Sequence, residues 1–357
     1  MERLRKVFGH TDADAIVLPK GVQQSSNFLY MTGLGGDLFE GSIAVLTRDG
    51  ITLLANVLED EAAMRKVSAS IRVKRYGSVR EAESIIRKHT KGKAVGFDGS
   101  SMPFSQHARM KKITEPRRLV DVSGAFGEAR AVKGEDEVED IREAVRIVKR
   151  AHSSIRDSLK EGITELEVAG RFDSIVRGQG SEPSFATIVC FGRNSAIPHH
   201  ISDRTRLKPN SLVLIDAGAK YRGYCSDITR TSIFRPDRSS KAYGRMSDMY
   251  GTVEEAQRAA LAAAKPGAYG YLAHKAADDV INAHANGIYK GRFIHGLGHS
   301  LGIDVHDSDK WALAPRCRMR IKEGMVFSDE PGIYVEGLGG VRIEDDILIT
   351  RGGAVML

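Results

Sequence analysis

The feature of this sequence that most constrains its fold is a set of acidic and histidine side chains in glycine-bearing, strand-like segments. Two carboxylates, Asp216 and Asp227, lie in the segment SLVLIDAGAKYRGYCSDITRT. The others lie in three C-terminal segments, HGLGHSLGIDVHD (His295–Asp307), SDEPGIY (Ser328–Tyr334) and VRIEDD (Val341–Asp346). Together these segments offer four carboxylates and one imidazole as candidate metal ligands.

Four carboxylates gathered in one pocket would repel one another. Two like charges about 4 Å apart cost about 4 kcal/mol at an effective dielectric constant of about 20. Two divalent cations would cancel the four negative charges, and ions roughly 3.5–4 Å apart could hold a bridging water and polarise a carbonyl. Carboxylate oxygens suit Mn²⁺, and imidazole also admits Co²⁺ and Zn²⁺. For any one of these residues taken alone, a solvated carboxylate at a strand end is the simpler interpretation.

Taken together, the segments resemble the five-ligand signature of the pita-bread metallopeptidases, the family of methionine aminopeptidase, aminopeptidase P and prolidase. The ligand order of that family is Asp, Asp, His, Glu, Glu, and the upstream PHH (Pro198 to His200) also matches. The resemblance implies two divalent ions, Mn²⁺ or Co²⁺ with Zn²⁺ as an alternative. It assigns as their ligands Asp216, Asp227, His299, Glu330 and Glu344.

The resemblance also assigns catalytic roles. Glu330 would pass the proton of the bridging water to the leaving amine, because a carboxylate near a metal-activated water can accept that proton. Glu344 would bridge the two ions. His199 would donate a hydrogen bond to the tetrahedral intermediate, and His306 would touch the substrate carbonyl.

Two further residues are expected to bind substrate or orient a ligand. The HGLGH segment carries histidines four residues apart, but its two glycines disfavour a helix, and it contains no glutamate. By resemblance only His299 of this segment is a ligand, and His295 contacts the substrate or supports the ligands. Arg342 lies two residues before Glu344 and is expected to hydrogen-bond a ligand carboxylate.

Composition limits the possible partners and the compartment. The net charge is +7 and the pI about 9.2, but the Lys and Arg residues are scattered, and their densest runs do not interleave with aromatics. We therefore expect a solvated basic surface and no nucleic-acid site. Three cysteines without paired spacing indicate a reducing compartment. No apolar run approaches the roughly 20 residues of a membrane span, and the N-terminus has no signal core, so a cytoplasmic protein is predicted.

Residues 1–125 alternate predicted strands and helices, which indicates an α/β domain. Strands are predicted at 14–19, 42–47, 51–56, 71–76 and 93–98, and helices at 59–67, 79–88 and 104–111. This region resembles the creatinase-type N-terminal domain of prolidases and aminopeptidases P through NFLYMTGL (Asn27–Leu34). Methionine aminopeptidases lack such a domain.

Residues 126–357 show a helix pair followed by strands twice, at roughly Glu135–Phe234 and Asp248–Thr350. The first pair is a helical stripe over Glu135–Leu159 and a helix opened by a Thr164–Glu167 capping box. The second pair is predicted at Asp248–Ala264 and Tyr271–Ala285. This duplication matches the pseudo-twofold of the pita-bread fold. The predicted fold class is thus α/β (α+β), with a creatinase-like domain followed by a pita-bread catalytic domain.

A predicted hairpin, several histidines and one cysteine complete the description of residues 126–357. A hairpin is predicted to bring Asp216 and Asp227 side by side. Histidines 152, 274 and 284 are expected to be structural, and Cys225 a small core residue. The sequence departs from the commonest prolidase pattern at Ser300, Asp307 and Asp329.

The resemblance implies hydrolysis of the bond between an N-terminal residue and a following proline, as in an Xaa-Pro dipeptidase. The substrates would be proline-containing di- or oligopeptides, and a homodimer is expected. An aminopeptidase P acting on longer peptides is the close alternative. Two others are a non-catalytic pita-bread protein that binds nucleic acid or protein, and a creatinase-type hydrolase that cleaves a small amidine without metal. Both should lack the full carboxylate set.

Overall fold

The computed structural model describes residues 1–21, 25–35, 38–308 and 310–357. These residues form two compact units, Met1–Arg130 and Ala131–Leu357. The division predicted after residue 125 falls inside a helix, Ser123–Ala131, and stays a prediction. Within the described ranges, no helix is long and apolar enough to cross a membrane.

The N-terminal unit is built on one six-stranded sheet with the strand order β4-β3-β2-β1-β5-β6. The pairs β1–β2 and β2–β3 are antiparallel, and the other three pairs are parallel. The strands are β1 (Ala15–Pro19), β2 (Ile43–Thr47), β3 (Gly50–Asn56), β4 (Ile71–Tyr76), β5 (Ala94–Phe97) and β6 (Arg118–Asp121). The helices are α1 (Glu2–Phe8), α2 (Ser26–Thr32), α3 (Asp60–Lys66), α4 (Val79–Thr90), α5 (Phe104–Thr114) and α6 (Ser123–Ala131).

The five strands and three helices predicted for this unit are confirmed within a few residues. Apolar side chains of the strands and of helix α4, such as Val17, Val45 and Ile86, share one buried core. The elements absent from the prediction are short: α1, α2, α6 and the four-residue strand β6. Strand β6 is half exposed along its length, so its apolar alternation is too brief to be read from the sequence.

The C-terminal unit contains two helix pairs. Helices α7 (Glu135–Ser158) and α8 (Glu165–Gly178) form the first pair, and α9 (Lys241–Ala263) and α10 (Gly270–Ala283) form the second. The predicted Thr164 capping box at the start of α8 is confirmed. The predicted start of α9 at Asp248 is wrong by seven residues, because Ser240 caps the helix earlier by accepting from the backbone N–H of Tyr243.

Antiparallel strands follow each helix pair. After the first pair the sheets have the orders β12-β9-β8 and β11-β10-β7, and after the second pair β15-β18-β19, β16-β17 and β13-β14. The strands are β7 (Glu182–Pro183), β8 (Ile188–Phe191), β9 (Ser211–Ala217), β10 (Ala219–Tyr221), β11 (Tyr224–Cys225), β12 (Ile228–Phe234), β13 (Gly298–His299), β14 (Ala312–Leu313), β15 (Val326–Asp329), β16 (Gly332–Val335), β17 (Gly339–Arg342), β18 (Asp345–Thr350) and β19 (Gly353–Met356).

The predicted hairpin around the two aspartates is present but interrupted. Strands β9 and β12 pair with Asp216 opposite Thr229, so Asp227 lies just before β12 and not directly across from Asp216. Gly218 follows β9 directly, and an added Cβ there would lie 1.9 Å from the Ser184 hydroxyl oxygen. Only a glycine allows this close approach.

Candidate metal centre

One cavity in the C-terminal unit has a volume of about 610 Å³, and all nine site residues predicted from the sequence line it. The apolar part of the lining comes from Phe185, Ile188, Pro198 and Val305. The nine predicted residues are His199, Asp216, Asp227, His295, His299, His306, Glu330, Arg342 and Glu344.

The candidate ligands lie in or beside strands. Asp216 is in β9, and His299 is in the two-residue strand β13. Glu330 follows β15 directly, and Glu344 falls between β17 and β18. The backbone N–H of Glu344 donates to the carbonyl of Thr229 at 3.1 Å, which joins the strands of the first half to those of the second.

The donor atoms of Asp227, His299 and Glu344 all lie within 4.8 Å of one another. His299 Nε2 is 3.5 Å from Asp227 Oδ2 and 3.6 Å from Glu330 Oε1. His299 Nδ1 donates to the carbonyl of Ser300 at 3.3 Å, so Nε2 keeps its lone pair toward the carboxylates. His306 lies edge-on to His299, with their ring centroids 4.1 Å apart.

The electrostatics of this group suit cations. Burial, together with the charges of neighbouring carboxylates, raises the pKa of Asp227 and of Glu344 well above the usual range. Burial, with the charge of Asp216, raises the pKa of Glu330 to about 8 against the opposing effect of Arg342. Burial lowers the pKa of His299 to about 4, which keeps the imidazole neutral, the form that ligates metals.

Among the candidate ligands, two buried carboxylate oxygens have no hydrogen-bond partner within the described residues, Oδ1 of Asp216 and Oδ1 of Asp227. A buried anionic oxygen without a partner is costly, and metal coordination is one of the few arrangements that satisfies it. The donor set, four carboxylates and one imidazole, therefore fits a pair of divalent ions.

Arg342 connects several members of the site. Its Nη2 donates to Asp216 Oδ2 at 2.6 Å, and its Nε donates to the Thr229 hydroxyl at 3.0 Å. The Thr229 hydroxyl donates to Glu344 Oε2 at 2.6 Å. Arg342 thus orients one candidate ligand directly and a second through Thr229, and its Nη1 donates to the Tyr334 hydroxyl at 3.0 Å.

Tyr334 and Thr229 are site-supporting residues that the sequence analysis did not assign. The Tyr334 hydroxyl lies 2.8 Å from His295 Nε2, while His295 Nδ1 donates to the carbonyl of Gly296 at 2.7 Å. Burial raises the pKa of Tyr334 to about 12 and lowers that of His295 to about 4, so both groups are neutral. Tyr334 lies within the SDEPGIY segment, and this position is the one feature of the sequence that could have indicated its role in the site.

The comparisons with known proteins identify the family. Residues 139–351 match the model of metallopeptidase family M24, and residues 1–132 match the creatinase/prolidase N-terminal domain. The chain belongs to metallopeptidase family M24. The predicted fold class, a creatinase-type domain before a pita-bread domain, is confirmed, and so is the prediction of a metallopeptidase.

Relatives of this M24 metallopeptidase cover its whole length. The Xaa-Pro dipeptidase of Pyrococcus furiosus is 32% identical over 100% of this chain and 97% of its own. The structure of an Xaa-Pro dipeptidase from Bacillus anthracis superposes with a TM-score of 0.86 at 28% identity, over 99% of this chain and 95% of the other. The structure of an X-Pro aminopeptidase from Thermotoga maritima superposes with a TM-score of 0.88 at 26% identity, over 98% of this chain and 97% of the other.

The three departures from the prolidase pattern lie beside the centre of this M24 metallopeptidase. The Ser300 hydroxyl donates to the carbonyl of Ser308 at 3.1 Å. Asp307 forms a buried ion pair with Lys133 at 3.4 Å. Asp329 is fully buried, neither of its carboxyl oxygens has a hydrogen-bond partner within the described residues, and burial raises its pKa well above the usual range.

The residues expected to be structural lie outside the cavity lining. His152 is buried and its Nε2 donates to the carbonyl of Ile228 at 3.1 Å. His274 packs against a phenylalanine ring, with the ring centroids 5.0 Å apart. His284 is 3.0 Å from an aspartate on α9. The Cys225 thiol donates to a backbone carbonyl at 3.2 Å and is buried, as expected of a core residue.

Proposed function

We propose that this M24 metallopeptidase hydrolyses the bond between an N-terminal residue and a following proline, and that it acts as an Xaa-Pro dipeptidase. The observation that carries the proposal is the intact set of four carboxylates and one imidazole lining one cavity. Full-length similarity to the Pyrococcus Xaa-Pro dipeptidase supports the proline specificity. Because the amide before proline is tertiary and lacks an N–H, such a bond needs a dedicated site.

Five residues would hold two divalent ions, Mn²⁺ or Co²⁺, with Zn²⁺ as an alternative. When bound, the ions would supply a water of lowered pKa and polarise the scissile carbonyl. Glu330 is suited to receive the proton of that water and deliver it to the proline nitrogen, because its carboxylate faces the cavity beside His299. The five residues are Asp216, Asp227, His299, Glu330 and Glu344.

The remaining histidines would act on the substrate. His199 is exposed in the cavity wall and would donate to the oxyanion of the tetrahedral intermediate, a contact that can contribute about 3–4 kcal/mol. His306 would touch the substrate carbonyl. His295, held by Tyr334, would contact the substrate. Arg342 would keep the ligand carboxylates in place through its three hydrogen bonds.

An Xaa-Pro aminopeptidase acting on longer peptides is the second candidate. Similarity to the Thermotoga X-Pro aminopeptidase structure favours it, as does Asp307 in a position where prolidases usually carry Glu. A non-catalytic binding protein is disfavoured because the ligand set is intact. We also propose a cytoplasmic homodimer. The three free cysteines support a reducing compartment such as the cytoplasm. The family resemblance supports the homodimer.

The test is hydrolysis by chelator-stripped enzyme to which Mn²⁺ or Co²⁺ is restored. The substrates are a dipeptide Xaa-Pro and a longer Xaa-Pro-Xaa peptide, each with a proline-free control. Cleavage of the dipeptide alone supports the dipeptidase, and cleavage of the longer peptide supports the aminopeptidase. Glu330→Gln should abolish turnover, while Glu336→Gln, the same change on an exposed residue, should not. Folded protein without turnover under either metal contradicts both candidates.

A further inference from the structure

A second acidic centre lies beside the cavity, at the start of helix α8. Glu165 is fully buried, and its carboxylate accepts four hydrogen bonds. Oε1 accepts from the backbone N–H of Phe191 at 2.7 Å and from Asn194 Nδ2 at 2.9 Å. Oε2 accepts from His200 Nε2 at 2.8 Å and from the backbone N–H of Asp203 at 3.0 Å.

All four donors belong to one stretch, residues 191–203, which we call the PHH loop because it contains Pro198, His199 and His200. The loop runs from the end of β8 through a single 3₁₀ turn and lies against the cavity. His199 points to the cavity wall, whereas its neighbour His200 is turned onto Glu165. One buried carboxylate thus fastens the loop at its start, near its middle and at its end, on both sides of His199.

The donor atoms of Glu165, His200 and Asp203 lie within 4.8 Å of one another, as they would in a cation site. The hydrogen bonds argue against a cation here. An ionised carboxylate offers about four lone-pair positions, and the four donors occupy them. His200 Nε2 lies 2.8 Å from Glu165 Oε2 and takes part in one of these hydrogen bonds, so it is not free to ligate a cation. The cluster is therefore a hydrogen-bond network that holds the PHH loop in place.

We propose that Glu165 is a positioning residue which, through His200 and the PHH loop, holds His199 in line with the reacting carbonyl. The inference rests on the proposed function, because His199 matters only if an oxyanion forms in this cavity. A donor contributes to catalysis when it is aimed in advance at the place where charge develops. A displacement of about 1 Å can cost about a hundredfold in rate.

The first test is Glu165→Gln, which keeps the size of the side chain but turns one acceptor into a donor facing the N–H of Asp203. We expect kcat to fall about 10- to 100-fold with KM changed less than about twofold, because the lost contact acts in the transition state. The metal content should stay at two ions. Glu167→Gln is the matched control on the same helix: it alters the capping box without touching the loop, and kcat should be unchanged.

The decisive test is a double-mutant cycle with His199→Ala. If Glu165 acts through His199, adding Glu165→Gln to His199→Ala should lower kcat less than about twofold further. If the two substitutions lower kcat by independent factors that multiply in the double variant, the proposal is overturned. An unchanged kcat in folded Glu165→Gln would also overturn it.

If Glu165→Gln does not fold, His200→Gln and His200→Leu replace it in the cycle. Gln can still donate to Glu165 and should retain more activity than Leu. Equal losses for the two variants would overturn the proposal. A wild-type enzyme that fails on every proline substrate would refute the proposed function, and this inference with it. Wild-type turnover with independent effects in the cycle would refute the positioning role alone.

Discussion

Replacement of Arg342 by Lys and by Met separates the charge of this residue from its geometry. Lys keeps a positive charge that can stay near Asp216 but gives up the bonds to Tyr334 and Thr229. At about 1 kcal/mol each, those two bonds predict a loss of about 2 kcal/mol in the unfolding free energy of metal-free protein. Met also leaves the Asp216 carboxylate unpaired. Breaking a buried ion pair from one side costs about 3–5 kcal/mol.

The assay is urea unfolding followed by the fluorescence of Trp311. This is the single tryptophan of the chain, and it is buried in the core of the C-terminal unit, so its signal reports that unit. Arg351→Lys is the matched control: Arg351 is exposed and pairs with Glu323 at the surface, and its loss should stay below about 1 kcal/mol. Wild-type stability in Arg342→Lys, or equal losses for Lys and Met, would refute the reasoning.

Three further predictions concern pH, metal linkage and packing. Burial holds the pKa of His152 at about 3, so as the pH falls the unfolded chain binds a proton at this residue before the folded protein does. The free energy of unfolding should therefore fall by about 1.4 kcal/mol per pH unit as the pH drops from about 6.5 toward 3. In His152→Gln the free energy of unfolding should depend less steeply on pH over this range. Mn²⁺ at about 100 times its Kd should stabilise wild type by about 2.7 kcal/mol in a thermal scan and should stabilise Asp227→Asn far less. Gly218→Ala should destabilise the protein by about 1–3 kcal/mol or more because of the close Ser184 contact, whereas Gly170→Ala, in open helix surface, should be neutral or stabilising in urea unfolding.

The residues that line the cavity could be named from the sequence because each proposed ligand lies in a short segment that resembles the family signature. Asp216 ends an apolar strand, and Glu330 and Glu344 lie at strand boundaries that glycine and charge mark in the sequence. The helices were predictable for a similar reason, since the Thr164 capping box and the stripe on α7 are local signals.

The supporting contacts could not be predicted because they join residues distant in the chain. Thr229 reaches Glu344 across 115 positions, and Glu165 reaches His200 across 35. No local pattern marks a threonine or a helix-start glutamate for such a role. The two-residue strand β13 likewise exists only through its pairing with β14, and its own sequence carries too little alternation to indicate a strand.

The measurement that tests the account most directly is a titration of chelator-stripped enzyme with Mn²⁺, in which bound metal and Xaa-Pro hydrolysis are followed together. The account predicts that hydrolysis rises to a plateau at two bound ions per chain. It also predicts that Asp227→Asn binds fewer ions and stays inactive. Full hydrolysis by metal-free enzyme, or two ions bound by Asp227→Asn with wild-type activity, would contradict the assignment of this cavity as a dinuclear peptidase centre.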